Sequence, residues 1–181
     1  VYGGATSRTT TVTTAGASVG FGDPVTFNLT VPAANASYQS TVTPVVYRGE
    51  TADIVYVNGA ILREQRGGTA MLRRPPMVFG AETVVPYIRT RASGPGGVGG
   101  DGNVRIRTDA ASRSAFTEPD EPNHEYHPRL NVTTDRTEVW RRYLETHADA
   151  SCTTVGRTVS CTFTAEHISV SLVRIDVAFG G

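Results

Sequence analysis

The stretch Ala52-Asp-Ile-Val-Tyr-Val-Asn58-Gly59-Ala-Ile-Leu-Arg-Glu64 predicts a β-hairpin. Two apolar and β-branched runs flank Asn58-Gly59, a dipeptide that supplies the two positive-φ positions of a type I′ turn. Counting outward from the turn pairs Val57 with Ala60, Tyr56 with Ile61 and Val55 with Leu62. Gly67-Gly68 then offers a second turn into Thr69–Arg73. The segment therefore predicts an antiparallel β-meander.

Further strands are predicted on both sides of this meander from alternation and β-branched content. They are Thr9–Thr14, Pro24–Val31, Thr41–Tyr47, Thr83–Arg91, Asn103–Thr108 and His167–Phe179. Pro86 predicts an edge strand or a bulge. The closing strand changes phase after Leu172, which predicts a β-bulge at Leu172–Val173. The glycine-rich run 94–102 is expected to be a flexible loop. Residues 15–22 are expected to form a loop, and residues 109–127 are expected to be irregular.

One helix is predicted over residues 136–148. Asp135 is a suitable N-cap, and Glu138 three residues later completes a capping box. An apolar stripe, which should pack on a face of the sheet, runs through Val139, Trp140, Tyr143 and Leu144. The predicted fold class is mainly β (α+β), an antiparallel meander or sandwich-like sheet that carries one short helix in the C-terminal half.

A second hairpin brings the two cysteines together. Gly156-Arg157 fits a type II′ turn, and counting outward sets Cys152 directly opposite Cys161. Both Cα spacings of an antiparallel pair lie within disulfide range. The alternative is two free thiols, but opposed thiols oxidise outside the cytosol. A disulfide-closed hairpin and an extracellular or cell-surface location are therefore expected.

Length and charge limit the possible functions. The 181 residues fit one extracellular β-rich domain, with Thr-rich strands in 1–40 and the main body in 41–181. All 17 basic residues are Arg and the net charge is zero, so nucleic-acid binding is not expected. The absence of Lys excludes Schiff-base and P-loop chemistry. Because the chain begins at Val1, we expect a processed protein or a soluble part of a longer one.

Three N-glycosylation sequons begin at Asn28, Asn35 and Asn131. Chance occurrence in a Thr-rich chain is the alternative explanation for them. Four aromatic residues, Tyr47, Tyr56, Tyr87 and Trp140, could form a sugar-binding platform, but aromatic residues in a β protein usually lie in the core.

Two segments match catalytic or cofactor-binding motifs, but only in the spacing of their residues. Gly16-Ala-Ser18-Val-Gly20 matches the nucleophile-elbow pattern, which requires a strand before the serine and a helix after it. Gly94-x-Gly96-x-x-Gly99 matches a dinucleotide fingerprint, but a strand follows it rather than a helix. Neither motif has the context it requires. We expect no enzyme activity and no cofactor.

A metal site has only weak candidates. Asp120, His124 and His127 lie in a segment rich in Pro, Asp and Glu, where imidazoles would favour zinc and carboxylates calcium. No further His or Cys has the spacing to complete a site, so a solvated acidic loop is the simpler interpretation. No metal site is therefore predicted.

Several segments together resemble the soluble domain of archaeal, especially haloarchaeal, type IV pilin-like secreted surface proteins. The resemblance covers about residues 43–179 and is loose and compositional. It runs through Asp53-Ile-Val-Tyr-Val-Asn-Gly-Ala-Ile61, Gly68-x-x-Met-Leu-Arg73 with Pro75-Pro76, Glu82-Thr-Val-Val-Pro-Tyr-Ile-Arg89, Trp140-Arg-Arg-Tyr-Leu-Glu145 and Val170-Ser-Leu-Val-Arg-Ile-Asp-Val177.

The resemblance implies a structural or adhesive subunit, a pilin or minor pilin, of a cell-surface filament. Its partners would be identical or related subunits and possibly surface glycans. Membrane contact would be made through an N-terminal hydrophobic helix that is absent from this sequence. The alternative function is a secreted β-sandwich module that binds carbohydrate or another surface ligand. A secreted hydrolase is a third and weaker candidate.

Overall fold

The computed structural model describes residues 7–13, 16–94, 97–99, 103–117 and 125–180. These residues form a mainly β protein with one short α-helix, as the sequence predicts. The strands are β1 (Ser7–Thr13), β2 (Ser18–Phe21), β3 (Val25–Val31), β4 (Ala36–Val42), β5 (Val45–Arg48), β6 (Asp53–Val57), β7 (Ala60–Gln65), β8 (Gly68–Arg73), β9 (Glu82–Ala92), β10 (Gly97–Gly99), β11 (Asn103–Thr117), β12 (Arg129–Thr133), β13 (Ser151–Val155), β14 (Thr158–Thr162) and β15 (His167–Gly180). Helix α1 is Thr137–His147, and a 3-10 turn spans Pro32–Ala34.

The strands form three sheets. A four-stranded sheet has the order β1-β11-β15-β9, a six-stranded sheet the order β10-β2-β5-β6-β7-β8, and a five-stranded sheet the order β13-β14-β12-β3-β4. Neighbouring strands are antiparallel except β9 and β15, which are parallel. Strand β3 lies inside the five-stranded sheet, so the Thr-rich N-terminal region contributes a central strand.

The Asn-Gly hairpin forms in the predicted register. Val57 pairs with Ala60 and Val55 pairs with Leu62. Asn58 and Gly59 both have positive φ, 49° and 81°, as a type I′ turn requires. The Asn58 side chain is also buried and accepts a hydrogen bond from Ile88 N–H at 2.6 Å. The turn residue therefore also fastens this hairpin to strand β9.

The disulfide hairpin is also confirmed. Cys152 pairs with Cys161 across β13 and β14, and a disulfide joins them with a Cα–Cα distance of 4.1 Å. Gly156 at the turn has a φ of 56°. Cys161 is fully buried and faces the core, so the cross-link lies on the inner side of the five-stranded sheet.

The helix exists, but its predicted capping box is wrong. No side chain caps the first turn, and the Arg136 N–H bonds instead to Thr134 Oγ1 at 3.2 Å. Arg157, a residue of the disulfide hairpin, donates a hydrogen bond from Nη2 to Asp135 Oδ2 at 2.8 Å. Glu138 turns to Arg141, whose hydrogen bond lowers the pKa of the Glu138 carboxyl. The two side chains of the predicted capping box are thus held by arginines, Asp135 by Arg157 and Glu138 by Arg141.

A main core lies where helix α1 and all three sheets meet. Its fully buried side chains come from separate elements, among them Phe27, Leu62, Leu130, Trp140 and Ile168. The predicted apolar stripe of α1 is buried in this core. Trp140 packs edge-on against Phe27 with ring centroids 5.2 Å apart.

The phase change in the closing strand is real, but the predicted bulge at Leu172–Val173 is wrong. Strand β15 pairs with β9 without a break from His167 to Val177. Ile168 and Val170 face the main core, whereas Val177 and Phe179 face a second, smaller core. Because successive strand residues point to opposite faces, a strand with a core on each face shows this phase change without a bulge of its own. The one register shift in the pairing of β15 lies in β11, between Ala110 and Ser112, opposite Ile175 and Arg174.

Three loop predictions also need correction. Residues 109–117 are not irregular but continue β11 to Thr117, because they contain no Pro or Gly and pair with β15. Ser18–Phe21 forms strand β2 instead of a loop. Gly97–Gly99 forms the short strand β10, which pairs with β2. All three segments are strands because they pair with strands that are distant in the sequence, which local composition does not reveal.

Candidate functional site

The outer face of the five-stranded sheet is the most distinctive surface of the described molecule. In strand β3 the residues Val25, Phe27 and Leu29 are buried, whereas Thr26 and Asn28 between them face outward. The same alternation holds in β4, β12 and β14, and the pairing of β13 with β14 places Ser151, Thr153 and Val155 on the same outward side. Fifteen outward positions result: Thr26, Asn28, Thr30, Ser37, Gln39, Thr41, Arg129, Asn131, Thr133, Ser151, Thr153, Val155, Thr158, Ser160 and Thr162. We call these fifteen positions the polar face.

One edge of the polar face is a row of threonines. The pairing places Thr41, Thr26, Thr133 and Thr158 side by side on four adjacent strands. The hydroxyls of Thr26 and Thr41 are 3.2 Å apart, and those of Thr133 and Thr158 are 2.9 Å apart. Adjacent strands lie about 4.8 Å apart, so these hydroxyls form a regular array.

The centre of the polar face is a row of amides. Asn28 and Asn131 are direct partners across β3 and β12, and Gln39 and Ser160 flank them. Ser37 donates a hydrogen bond to Asn28 Oδ1 at 3.1 Å. The Asn131 Oδ1 atom is buried and has no hydrogen-bond partner among the described residues. This acceptor is therefore enclosed by its neighbours, Asn28 on β3 and Ser160 on β14.

The chemistry of the polar face is that of neutral hydrogen bonding. Of its fifteen positions only Arg129 is charged, and Val155 at the margin is its one aliphatic side chain. Hydroxyls and carboxamides both donate and accept hydrogen bonds. Such a face matches water or a neutral hydroxylated ligand better than an ion or an apolar surface.

The three sequons occupy different environments. Asn28 and Asn131 lie within strands in the middle of the polar face, and both are half-buried. Asn35 follows the 3-10 turn, is exposed, and has a φ of 51°. A bulky glycan therefore has the most room at Asn35.

Two ion pairs fix the region just before helix α1. The Arg136 guanidinium donates from Nε and Nη2 to the two carboxylate oxygens of Glu64 on strand β7, at 2.8 and 2.7 Å. Arg157 of the disulfide hairpin binds Asp135. The Arg136 pair is largely shielded, with side-chain exposures of 15% and 29%, and bidentate arginine pairs have a well-defined geometry. Residues 135–136 thus connect two sheets.

The aromatic residues do not form a platform on the surface. Trp140 and Tyr87 are buried in the main core. Tyr47 and Tyr56 are half-buried, and Tyr47 packs against the second core. Burial raises the pKa of the Tyr56 and Tyr87 hydroxyls above their usual value. The core interpretation of Trp140 and Tyr87 is confirmed.

The motifs for metal and catalytic chemistry lead to no assembled site in the described residues. Asp120 and His124 lie outside those residues, and His127 is exposed, 3.6 Å from Glu125. The described part of the chain contains no group of three or more potential metal ligands. Ser18 begins strand β2, and strand β3 follows it instead of a helix.

A model for a family of unknown function, DUF7289, matches residues 1–178. The chain belongs to this family. No curated protein and no solved structure matches the chain. None of the described helices of this family member is long and apolar enough to cross a membrane. The disulfide indicates that the domain works in a non-reducing environment.

The polar face itself was missed by sequence reasoning, although its components were visible. Thr26-x-Asn28-x-Thr30 and Arg129-x-Asn131-x-Thr133 both alternate polar residues with buried apolar ones. Each segment alone predicts an ordinary half-exposed strand. That β3 and β12 are neighbours, with paired residues such as Thr30 and Arg129 99 positions apart in the chain, follows from the sheet topology.

Proposed function

We propose that this domain is the exposed part of a structural or adhesive subunit of a type IV pilus-like cell-surface filament, and that it works outside the cell. The observation that carries the proposal is the set of cross-links that hold elements of the fold together. A disulfide closes the hairpin β13–β14, and two arginine–carboxylate pairs hold the start of α1 to two sheets. A domain exposed to shear and proteases benefits from such cross-links.

The resemblance of residues 43–179 to pilin-like secreted proteins supports the same proposal. The proposal requires that the full-length protein carry a prepilin cleavage site followed by about 20 apolar residues. A Sec signal alone would contradict it. The test is to shear filaments from cells that produce the full-length protein and to identify their subunits by mass spectrometry. This chain should be enriched in the filament fraction, and its confinement to the medium as a free monomer would overturn the proposal.

The second candidate, a secreted module that binds neutral glycans, is favoured by the polar face. Its central row combines the carboxamides of Gln39, Asn28 and Asn131 with the Ser160 hydroxyl, groups that both donate and accept hydrogen bonds. A glycan array with the purified domain tests this candidate. Binding should be lost in Asn28→Leu and kept in the control Thr69→Val, because Thr69 lies on another sheet. An array without any bound neutral glycan would reject the candidate.

A further inference from the structure

Strand β1 forms an open edge of the four-stranded sheet. It pairs with β11 on one side, in an unbroken register from Ser7↔Asp109 to Thr13↔Asn103. Six of its seven side chains are exposed, and Val12 is half-buried. Among the described residues no strand pairs with its other side. The outward-pointing N–H and C=O groups of β1 are therefore available to another strand.

The opposite edge of the same sheet is closed. Along β9, Ile88 N–H donates to Asn58 Oδ1, and Thr90 C=O accepts from Thr43 N–H at 3.3 Å. Val84 exchanges two hydrogen bonds with Val78, at 2.9 and 3.0 Å. Pro86 within the strand lacks a donor altogether. Of the two edges, the described structure leaves β1 as the one at which this sheet can grow.

Strand β1 has only one of the features that usually protect an edge, the charge of Arg8. Its sequence, Ser-Arg-Thr-Thr-Thr-Val-Thr, contains no Pro or Gly, and no bulge interrupts its pairing with β11. Arg8 is its one charged residue. Threonine and valine favour extended backbone, and natural edge strands usually carry charges, prolines or bulges that prevent association.

We infer that β1 pairs antiparallel with β1 of a second copy of this chain, which would join the two four-stranded sheets into one eight-stranded sheet. A two-fold pairing centred on Thr10 uses all seven residues. It sets Thr10 opposite its own counterpart, Thr9 opposite Thr11, and Arg8 opposite Val12. A parallel in-register pairing would instead place the two Arg8 side chains side by side, and like charges directly opposite are destabilising.

The contact should be weak in dilute solution. One added strand pair buries far less than the roughly 1,200–2,000 Å² of a standard stable interface. Copies held close together on a surface would associate through it much more readily, because their effective concentration is high. The inference does not depend on the filament proposal, since a free secreted module would carry the same edge.

Cysteine cross-linking tests the pairing and its register. Thr10→Cys places two thiols opposite each other at a Cα distance of about 4.5–5.5 Å, within disulfide range. Arg8→Cys, on the same strand, is the matched control. Its two thiols would be offset by four residues, about 13 Å along the strands. Under mild oxidation at high protein concentration, the Thr10→Cys variant should give a covalent dimer, mapped by peptide mass, and Arg8→Cys little.

A charge variant gives an independent reading by analytical ultracentrifugation. Thr10→Glu sets two carboxylates face to face and should raise the dimer dissociation constant about tenfold or more, whereas Thr10→Val should leave it nearly unchanged. Circular dichroism and the melting temperature establish that each variant is folded. Equal cross-linking at both cysteine positions, or a folded Thr10→Cys variant that stays monomeric, would overturn the inference.

Discussion

At the scale of single residues, the Tyr87 hydroxyl connects two sheets. It accepts a hydrogen bond from Leu29 N–H at 3.1 Å and donates one to the Tyr38 carbonyl at 3.0 Å. Leu29 and Tyr38 face each other across β3 and β4, so the phenol of β9 enters the edge of the five-stranded sheet. This contact helps to set how the two sheets pack.

Tyr87→Phe should therefore lower the free energy of unfolding by about 1–3 kcal/mol, because it leaves a buried amide N–H without that partner. Urea denaturation of the variant and the parent measures the difference. Tyr47→Phe is the matched control, since the Tyr47 hydroxyl makes no hydrogen bond among the described residues. Equal stability of Tyr87→Phe and Tyr47→Phe would show that the bridge contributes nothing.

Tyr143 makes stability depend on alkaline pH. Burial raises its pKa from near 10 to about 12 in the folded state. As the pH rises, the unfolded chain therefore releases this phenol proton before the folded chain does. The contribution of Tyr143 is fully present below about pH 10 and is lost as the pH rises through 12.

The urea midpoint should accordingly be lower at about pH 11 than at about pH 9, and Tyr143→Phe should reduce this difference. The hydroxyl of Tyr87, whose pKa is also raised by burial, acts in the same direction. A parent midpoint that does not change between these two pH values would contradict the assignment.

The sequons allow a prediction about modification. If the protein is produced in a host with N-glycosylation, Asn35→Gln should remove the glycan mass, because Asn35 is exposed beside a turn. Asn131→Gln should leave the mass of the glycan unchanged, because its amide is wedged between β3 and β14. Intact-mass spectrometry distinguishes the two variants. A glycan that persists in Asn35→Gln would contradict this prediction.

At the scale of elements, the disulfide hairpin is the segment whose contribution can be isolated. The bond joins residues nine positions apart, so it closes a short loop. Loop entropy then predicts that removing the bond costs about 2–3 kcal/mol. Thermal unfolding with and without reductant measures this cost, and the Cys152→Ala/Cys161→Ala double variant serves as the unreducible control. An unchanged melting temperature on reduction would contradict the bracing role.

The two hairpins could be predicted because the residues that determine each turn and its register are neighbours in the sequence. Asn58-Gly59 and Gly156 fix turn and register within a few residues, and the pairing follows by counting. The cap of α1 could not be predicted, because Asp135 is taken by Arg157 from a later hairpin. The phase change in β15 was visible, but its cause is that the strand passes between two cores.

At the scale of the whole molecule, the candidate surfaces exist only once distant strands of the chain have paired into sheets. The polar face needs five strands drawn from both halves of the chain, and the open edge at β1 is defined by the sheet order. Local patterns can indicate that a strand is half-exposed, but not which strands are its neighbours. The fold class was therefore predictable from sequence, and the candidate surfaces were not.

We propose that this disulfide-closed domain is displayed on a cell-surface filament. Immunogold electron microscopy of cells that produce the full-length protein with an epitope tag tests this claim most directly. The account predicts gold particles in rows along thin surface filaments, and their loss when the gene is deleted. Label spread evenly over the cell envelope or found in the medium, with no labelled filaments, would contradict it.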